Sequence, residues 1–367
     1  MRHRFVTDRW LFLSTVALCL VGAVMVFSAS AVTAREQYGS AYHFIIRQVV
    51  WLAFGLGAML LLMNIDYRRL RRPAVIFTGL SAVLLMLVGT FFLDKSHATH
   101  RWIRFGPIGL QPSELAKLAV ILYLAWFLEQ RMSEGPAAVN DLRRTLIPAL
   151  APIGLMALLI VMQPDLGTAV EILLIALAMM FVAGLSMRWI AGLGAVVVPF
   201  VIYMIFHVSY RYQRILGFLH PDADPHGKGF QLLQSLIAVG SGGFTGVGLM
   251  ESRQKLFYLP EAHTDFIFAV ICEELGFIGG VIVLTLFAVY AWRGMRAALE
   301  SVDPFSRLIA LGITVMVGSQ ALINLGVVLG MMPTKGIPLP FVSYGGSSLL
   351  VMLLATGVLL NISQQAG

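Results

Sequence analysis

Charge is what this sequence has least of. Of its 367 residues 12% are Asp, Glu, Lys or Arg, against 58% hydrophobic ones, and a water-soluble fold could not clothe its surface with so few. That scarcity excludes a secreted globular enzyme and a disordered protein. Cysteine is nearly missing too: Cys19 and Cys272 stand in separate apolar runs and offer neither a disulfide framework nor metal-ligand spacing. Both read as small hydrophobes. There is no repeat of fixed period, no low-complexity tail and no basic stretch interleaved with aromatics, so the net charge of +7 does not point to nucleic acid. What is abundant is apolar length. Runs of about 20 residues with almost no charge match the hydrocarbon thickness of a bilayer, and the mean hydropathy is +0.84.

The predicted fold class is therefore an all-α integral membrane protein, a single polytopic domain over residues 1–367. Ten transmembrane helices are expected near residues 10–31, 45–64, 74–93, 113–128, 145–163, 168–184, 189–206, 265–291, 306–330 and 345–362. Arg2, Arg4 and Arg9 precede a first run ending in Ser28-Ala29-Ser30-Ala31, which resembles a signal peptide. Its apolar core is longer than a signal's and nine more runs follow, so it reads as a retained anchor. Arginines collect in alternate connections: Arg68, Arg69, Arg71 and Arg72; then Arg131, Arg143 and Arg144; then Arg293 and Arg296. The positive-inside rule puts those loops and both termini in the cytoplasm. The opposite face then holds residues 32–44, 94–112, 163–167, 207–264 and 331–344, where nearly everything chemically unusual lies. Segment 207–264, between the seventh and eighth helices, forms a long extracytoplasmic loop whose apolar piece Phe230 to Val239 dips into or lies along the membrane.

Charges inside spanning helices are expensive, and each is a functional hypothesis with a packed ion pair as its rival. In Gln111-Pro112-Ser113-Glu114-Leu115-Ala116-Lys117 the proline suits a first helical turn, and Glu114 and Lys117 share one face. They could neutralise each other or meet substrate. Upstream, Arg101, Trp102 and Arg104 place two guanidinium groups and an indole at the interface, as an aromatic belt or as a binding patch. Asp165, in Gln163-Pro164-Asp165-Leu166-Gly167, reads as a helix cap or a site residue, while Glu171 lies in an apolar span and needs a partner.

The densest polar cluster is Leu259-Pro260-Glu261-Ala262-His263-Thr264-Asp265-Phe266. Asp265 would stand half out of water, as a cap or as a general base. Partial desolvation raises a carboxylate's pKa, while nearby cations and a helix N-terminus oppose that. His263 is a second candidate base. Glu273 and Glu274, deeper in the same span, are expected to pair with neighbouring helices or line a cavity. The glycine-rich run from Gly240 to Gly248 could cradle phosphate but lacks the Gly-Lys-Ser/Thr ending of a P-loop. In the run from Lys335 to Ser348, Pro338 and Pro340 enforce irregular backbone at membrane depth, tolerated only when buried in protein or lining a cavity. Its glycines and serines permit close approach.

These motifs, in this order, resemble those of the SEDS family (shape, elongation, division and sporulation), the FtsW and RodA type peptidoglycan glycosyltransferases. The resemblance runs through essentially every span and rests on Gln111 to Lys117, Gln163 to Gly167, Leu259 to Phe268 and Pro338 to Ser348. Tyr258 to Asp265 and Met25-Val26-Phe27-Ser28-Ala29-Ser30 look closer to the division type, FtsW, than to RodA. Cys272 departs from the small residue expected before Glu273-Glu274, which leaves the chemistry untouched.

The resemblance implies polymerisation of lipid II at the outer face of the bacterial cytoplasmic membrane. An acceptor hydroxyl attacks the anomeric carbon of a lipid-linked glycan strand and expels undecaprenyl pyrophosphate with inversion. The family's essential aspartate maps onto Asp265. Candidate substrate contacts are Arg101, Trp102, Arg104, Glu114, Lys117, Asp165, Arg211, Arg214, Glu261, His263, Thr264, Lys335, Ser343, Tyr344, Gly345, Ser347 and Ser348. Among them Arg101, Arg104, Lys117, Arg211, Arg214 and Lys335 are cations suited to a pyrophosphate. No metal-ligand motif is present, though a divalent cation such as Mg or Mn could share that charge. A class B penicillin-binding protein transpeptidase, with other division or elongation proteins, is the implied partner. The rival readings are a lipid II flippase or transporter, whose inverted repeats are not evident here, and a non-catalytic scaffold for the transpeptidase.

Overall fold

The computed structural model describes residues 8–94, 99–106, 108–221, 229–256 and 258–365, apart from the side chains of Phe105 and Ile108. Arg2 and Arg4, and part of segment 207–264, lie outside the described residues. Each of the ten predicted spans is helical. They are α1 (Arg9–Tyr38), α2 (His43–Met63), α3 (Pro73–Leu93), α4 (Pro112–Ser133), α5 (Ile147–Met162), α6 (Leu166–Val182) and α7 (Met187–His207), then α10 (Ile267–Glu300), α11 (Pro304–Val328) and α12 (Gly346–Gln365). Two further helices, α8 (Ser209–Leu219) and α9 (Phe230–Ser241), occupy the long segment between α7 and α10.

Among the described residues eight helices are long and apolar enough to cross a membrane. The two others of the ten fall short for plain reasons. Helix α4 carries Glu114, Lys117 and Glu129, and α6 has only 17 residues. Helices α10, α11 and α12 form the buried centre, α12 lying along α2 and α11 along α4 and α6, whereas α7 rides at the edge with no buried residue. A small antiparallel hairpin, β1 (Ile103–Phe105) and β2 (Ile108–Leu110) with Arg104 opposite Gly109, links α3 to α4. It marks one end of the bundle, the hairpin end. The arginine clusters mark the other.

Helix α1 runs seven residues past its expected stop because no glycine or proline interrupts it before Gly39, whose left-handed φ of 72° ends the helix with its N–H donating to the Arg35 carbonyl. Helix α10 starts at Ile267 but breaks at Gly276 (φ 66°, ψ −164°). The run from Gly240 to Gly248 causes the break and is no phosphate cradle. Its Val247 and Gly248 N–H groups donate to the carbonyls of Glu273 (3.0 Å) and Glu274 (3.1 Å), and Phe277 N–H donates to Gly243 O (2.9 Å). A Cβ on Gly242 would stand 1.9 Å from the Cys272 carbonyl oxygen, and one on Gly246 2.1 Å from that of Glu274. Only glycine lets two backbones approach so closely. The apolar piece from Phe230 is α9, packed on α10 and α11, with Ser235 Oγ donating to Val328 O at 2.9 Å.

Candidate active site

At the hairpin end, a cavity of about 230 Å³ is lined by Arg101, Asp165, Tyr210, Arg211, Arg214 and Lys335, with Gly336 at its margin. Four expected cations thus converge from β1's approach, from α8 and from the loop before α12. Their polar partners are mostly carbonyls. Arg101 Nε donates to Gln163 O at 2.8 Å and its terminal nitrogen to Pro164 O. Arg214 reaches Thr334 O at 3.4 Å, and Arg211 reaches Met204 O at 3.3 Å. Carbonyls orient guanidinium groups without cancelling their charge, so the cavity stays electropositive. Tyr210, which sequence reasoning missed, braces the cluster. Its hydroxyl donates to Pro164 O (3.2 Å) and accepts from Arg211 Nε (3.1 Å), and Arg211 and Arg214 both lie over its ring at 5.6 and 5.8 Å. The spacing Tyr210, Arg211, Arg214 on one short helix was the available signal.

Asp165 is the carboxylate among these lining residues, and it is committed to α6. It accepts from Thr168 N–H (3.2 Å), Thr168 Oγ1 (2.9 Å) and Gln111 Nε2 (3.3 Å), so the helix-cap reading describes its bonds. Gln163 is buried and donates to Leu87 O (3.0 Å) and Thr90 Oγ1 (2.9 Å), fastening this turn to α3.

Asp265 borders the cavity through Gly336, where a Cβ would stand 3.3 Å from its Oδ2. No described side chain or backbone N–H donates to its carboxylate. Burial pushes its pKa up to about 7, helped by the charge of Glu261; the Arg214 and Arg101 guanidinium groups pull the other way. Its position is fixed instead through the main chain. Asn324 Nδ2 donates to both Asp265 O and Ile337 O at 2.8 Å. Ser343 Oγ donates to Thr264 O (2.6 Å) and accepts from Leu339 N–H (2.8 Å), and Tyr344 N–H donates to His263 O (2.9 Å). The irregular run after Lys335 is therefore the wall against which the Asp265 loop is stapled.

His263 packs among rings, 4.6 Å from Phe44 and 5.6 Å from Tyr344, and burial lowers its pKa below the usual imidazole range. Glu261, at a left-handed φ of 56°, accepts from Thr264 Oγ1 at 2.8 Å. Burial likewise lowers the Lys335 pKa. Gly345, Ser347 and Ser348 open α12; Ser347 and Ser348 are buried, and neighbouring Gly346 meets Trp51 of α2. Trp102 covers Gly109 across the hairpin, and Arg104 is exposed on β1.

Glu114 and Lys117 do not line the cavity. Lys117, 1% exposed, lies 3.1 Å from Glu114 Oε2 and 3.4 Å from Glu171 Oε2, which supplies the partner Glu171 required. Lys117 Nζ also donates to Gln320 Oε1 (2.6 Å), and Gln320 Nε2 donates to Pro338 O (2.9 Å). Gln320 and Asn324, one turn apart on α11, thus tie the buried ion cluster to the loop facing Asp265. Sequence reasoning passed over both, although two amides four residues apart in an apolar span were a visible anomaly.

Glu273 and Glu274 belong to a second buried cluster. Glu274 accepts from Ser28 Oγ (2.6 Å), Lys255 Nζ (2.8 Å) and Met250 N–H (3.0 Å). Glu273 accepts from Ser252 Oγ and from Arg253 N–H (3.0 Å). Together they pin residues 250–255 to the broken helix.

Comparison with known proteins places the same residues in a wider set. The FtsW, RodA and SpoVE family, described as cell cycle proteins, matches residues 9–367. The probable peptidoglycan glycosyltransferase FtsW of Geobacter metallireducens is 43% identical over 357 residues, covering 97% of this chain and 94% of that protein. The stage V sporulation protein E of Bacillus subtilis is 42% identical over 360 residues, covering 97% of each. Among solved structures, a chain of a peptidoglycan synthase complex that coordinates polymerization and crosslinking superposes with a TM-score of 0.79 at 33% identity, covering 98% of both chains. The rod shape determining protein RodA of Thermus thermophilus gives 0.70 at 29% identity, covering 98% of this chain and 97% of that one.

Proposed function

The chain belongs to the FtsW, RodA and SpoVE family, and from that premise we infer that the electropositive cavity bordered by Asp265 is its active site. The protein is a multi-pass membrane protein and a peptidoglycan glycosyltransferase. The reading proposed for the site is that lipid II is polymerised there during septal or elongation cell-wall synthesis. The observation that carries it is one carboxylate without a donor among the described residues, raised to about 7, beside Arg101, Arg211, Arg214 and Lys335.

In this reading the acceptor sugar's hydroxyl attacks the anomeric carbon of the lipid-linked strand, and its proton passes to an Asp265 oxygen. The bond from that carbon to the pyrophosphate oxygen breaks on the opposite face, with inversion. The leaving pyrophosphate is a weak base, so it needs charge stabilisation more than a proton, and the four cations supply it. A carboxylate near 7 is ionised in a useful fraction at neutral pH while remaining basic enough to take a proton. A wholly apolar cavity of about 330 Å³, lined by Leu173, Leu177, Met180, Leu193 and Val197, meets the cationic one at Val170. It suits the polyprenyl chain of the donor.

A divalent cation would fit as Mg²⁺ commonly does, through one carboxylate and substrate phosphates. Asp265 takes the proton in this reading, so that carboxylate would be Asp165 at the cavity wall, and such an ion would supply charge neutralisation at the departing pyrophosphate. The arginine end is assigned to the cytoplasm and the hairpin end to the outside of the cytoplasmic membrane, with ten spans. A class B penicillin-binding protein transpeptidase is the proposed partner, supported by the synthase complex whose chain this one resembles.

The test is polymer formation from purified lipid II. Asp265→Asn is expected to remain folded and lose about 100- to 10,000-fold in rate. Undiminished polymerisation by that variant would remove the base assignment.

A further inference from the structure

A third cavity, of about 510 Å³, lies at the arginine end between the short helix Tyr67–Arg71, the start of α3 and the last turns of α4. Its wall includes Arg68, Arg71, Arg72, Trp126, Glu129 and Gln130. The proposed chemistry does not use it. Helices α3 and α4, of 21 and 22 residues, separate it from the hairpin end, about 30 Å at the rise of an α-helix. That distance is one bilayer core, so this cavity stands at the opposite membrane surface from Asp265.

The arginines here are not equivalent. Arg71 is spent: it pairs with Glu129 and lies 3.7 Å from Asp303 Oδ1. Arg68 and Arg72 are exposed and form no ion pair within 4 Å among the described residues, although Asp66 and Asp303 act on Arg68 from farther away and its guanidinium lies 5.9 Å over the Tyr67 ring. With Arg71 and Glu129 cancelling, Arg68 and Arg72 leave the wall net positive, the charge of Arg68 being partly offset by Asp66 and Asp303. The positive-inside rule asks only that such charge be present in the loop; it does not ask that two cations border one concavity. Nor does it ask for an indole in the wall. Trp126 packs edge-on against Phe77 at 5.2 Å, and Phe77 is 47% exposed on the outward face of α3. Farther along that face Leu85 is 72% exposed. Charge, concavity and an apolar track thus follow one another from the membrane surface inward.

We propose that this cavity binds the headgroup of an anionic phospholipid, with the phosphodiester held by Arg68 and Arg72 and the acyl chains laid along Phe77 and the outward face of α3. Guanidinium forks match phosphate oxygens, and basic pockets between spanning helices recognise anionic headgroups. A free phosphate would satisfy the arginines but leave the apolar track without purpose, which favours the lipid.

The full-length protein, purified in detergent, would be incubated with equal amounts of phosphatidylglycerol and phosphatidylcholine, and retained lipids counted by native mass spectrometry. The wild type is expected to retain phosphatidylglycerol preferentially. Arg68→Gln with Arg72→Gln should weaken that retention on the order of tenfold. Arg143→Gln with Arg144→Gln, an equal charge loss at the same end outside the cavity, should retain wild-type preference. Arg68→Lys with Arg72→Lys keeps the charge, serves if the glutamine pair fails to fold, and should hold the lipid less well than wild type. Unchanged retention in a folded cavity variant would overturn the proposal, as would equal loss in the Arg143 and Arg144 control. Displacement of the lipid by millimolar inorganic phosphate would reassign the cavity to a free anion and overturn the lipid occupant.

Discussion

Asp265, in the loop before α10, and Glu274, inside that helix, stand nine residues apart, and the fold treats their carboxylates in opposite ways. Glu274 is surrounded by donors from α1 and from residues 250–255, including the Lys255 ammonium at 2.8 Å. Asp265 has no described donor and is held only through its carbonyl. A buried carboxylate whose lone pairs are filled by protein donors serves architecture. One that is half-buried without donors is left more basic, because desolvation disfavours its ion and no hydrogen bond offsets that. The same contrast separates the Lys117 cluster, closed inside the bundle, from the cations of the cavity, which face carbonyls and space.

The sharpest way to break this comparison is to neutralise each carboxylate in turn. Asp265→Asn should lose at least about 100-fold in polymer formation while its thermal unfolding in detergent matches the wild type. Glu274→Gln should do the reverse, lowering stability by about 3–5 kcal/mol because it strands Lys255 in the interior. A destabilised Asp265→Asn or an unaffected Glu274→Gln would end the distinction.

A smaller effect follows from pH. Asp265 must be ionised to accept a proton, and its pKa is near 7, so the rate should fall about tenfold between pH 8 and pH 6, in proportion to the ionised fraction. A flat profile across that range would contradict the assignment. The charges around it set the direction of finer shifts. Arg214→Gln removes a cation that lowers the Asp265 pKa and should move the acid limb to higher pH. Glu261→Gln removes an anion that raises it and should move the limb lower.

The smallest expected changes concern positioning. Asn324→Ala frees the carbonyls of Asp265 and Ile337, two hydrogen bonds of about 1 kcal/mol each, and should slow turnover a few-fold to about tenfold with little change in lipid II affinity. Gly336→Ala sets a methyl 3.3 Å from Asp265 Oδ2 and should slow turnover a few-fold without loss of stability. Steady-state kinetics that show altered affinity and unchanged turnover would place either residue outside the Asp265 scaffold.

Much of this was legible along the chain. The ten helical segments followed from apolar length, and Arg101, Asp165, Arg211, Arg214 and Lys335 were all candidates before their convergence was known. Asp165 was readable as a cap because Asp before Leu166-Gly167-Thr168 offers its oxygens to the first free N–H groups. Tyr210, Lys255, Gln320 and Asn324 were not singled out, since a tyrosine, a loop lysine or a helical amide gains meaning only from what lies across the bundle. The glycines from Gly240 to Gly248, weak as a phosphate site for want of a P-loop ending, serve a backbone contact, because close approach to phosphate and close approach to a second chain segment ask for the same residue.

The sequence by itself determined that the chain belongs in a membrane, where its helices run and which few polar residues demand explanation, because apolar length and scarcity of charge are properties of a line. Only the tertiary structure decided which carboxylates are satisfied. Ser28 reaches Glu274 across 246 residues and Lys117 reaches Gln320 across 203, and a side chain's basicity depends on donors within a few ångströms, whatever their distance along the chain.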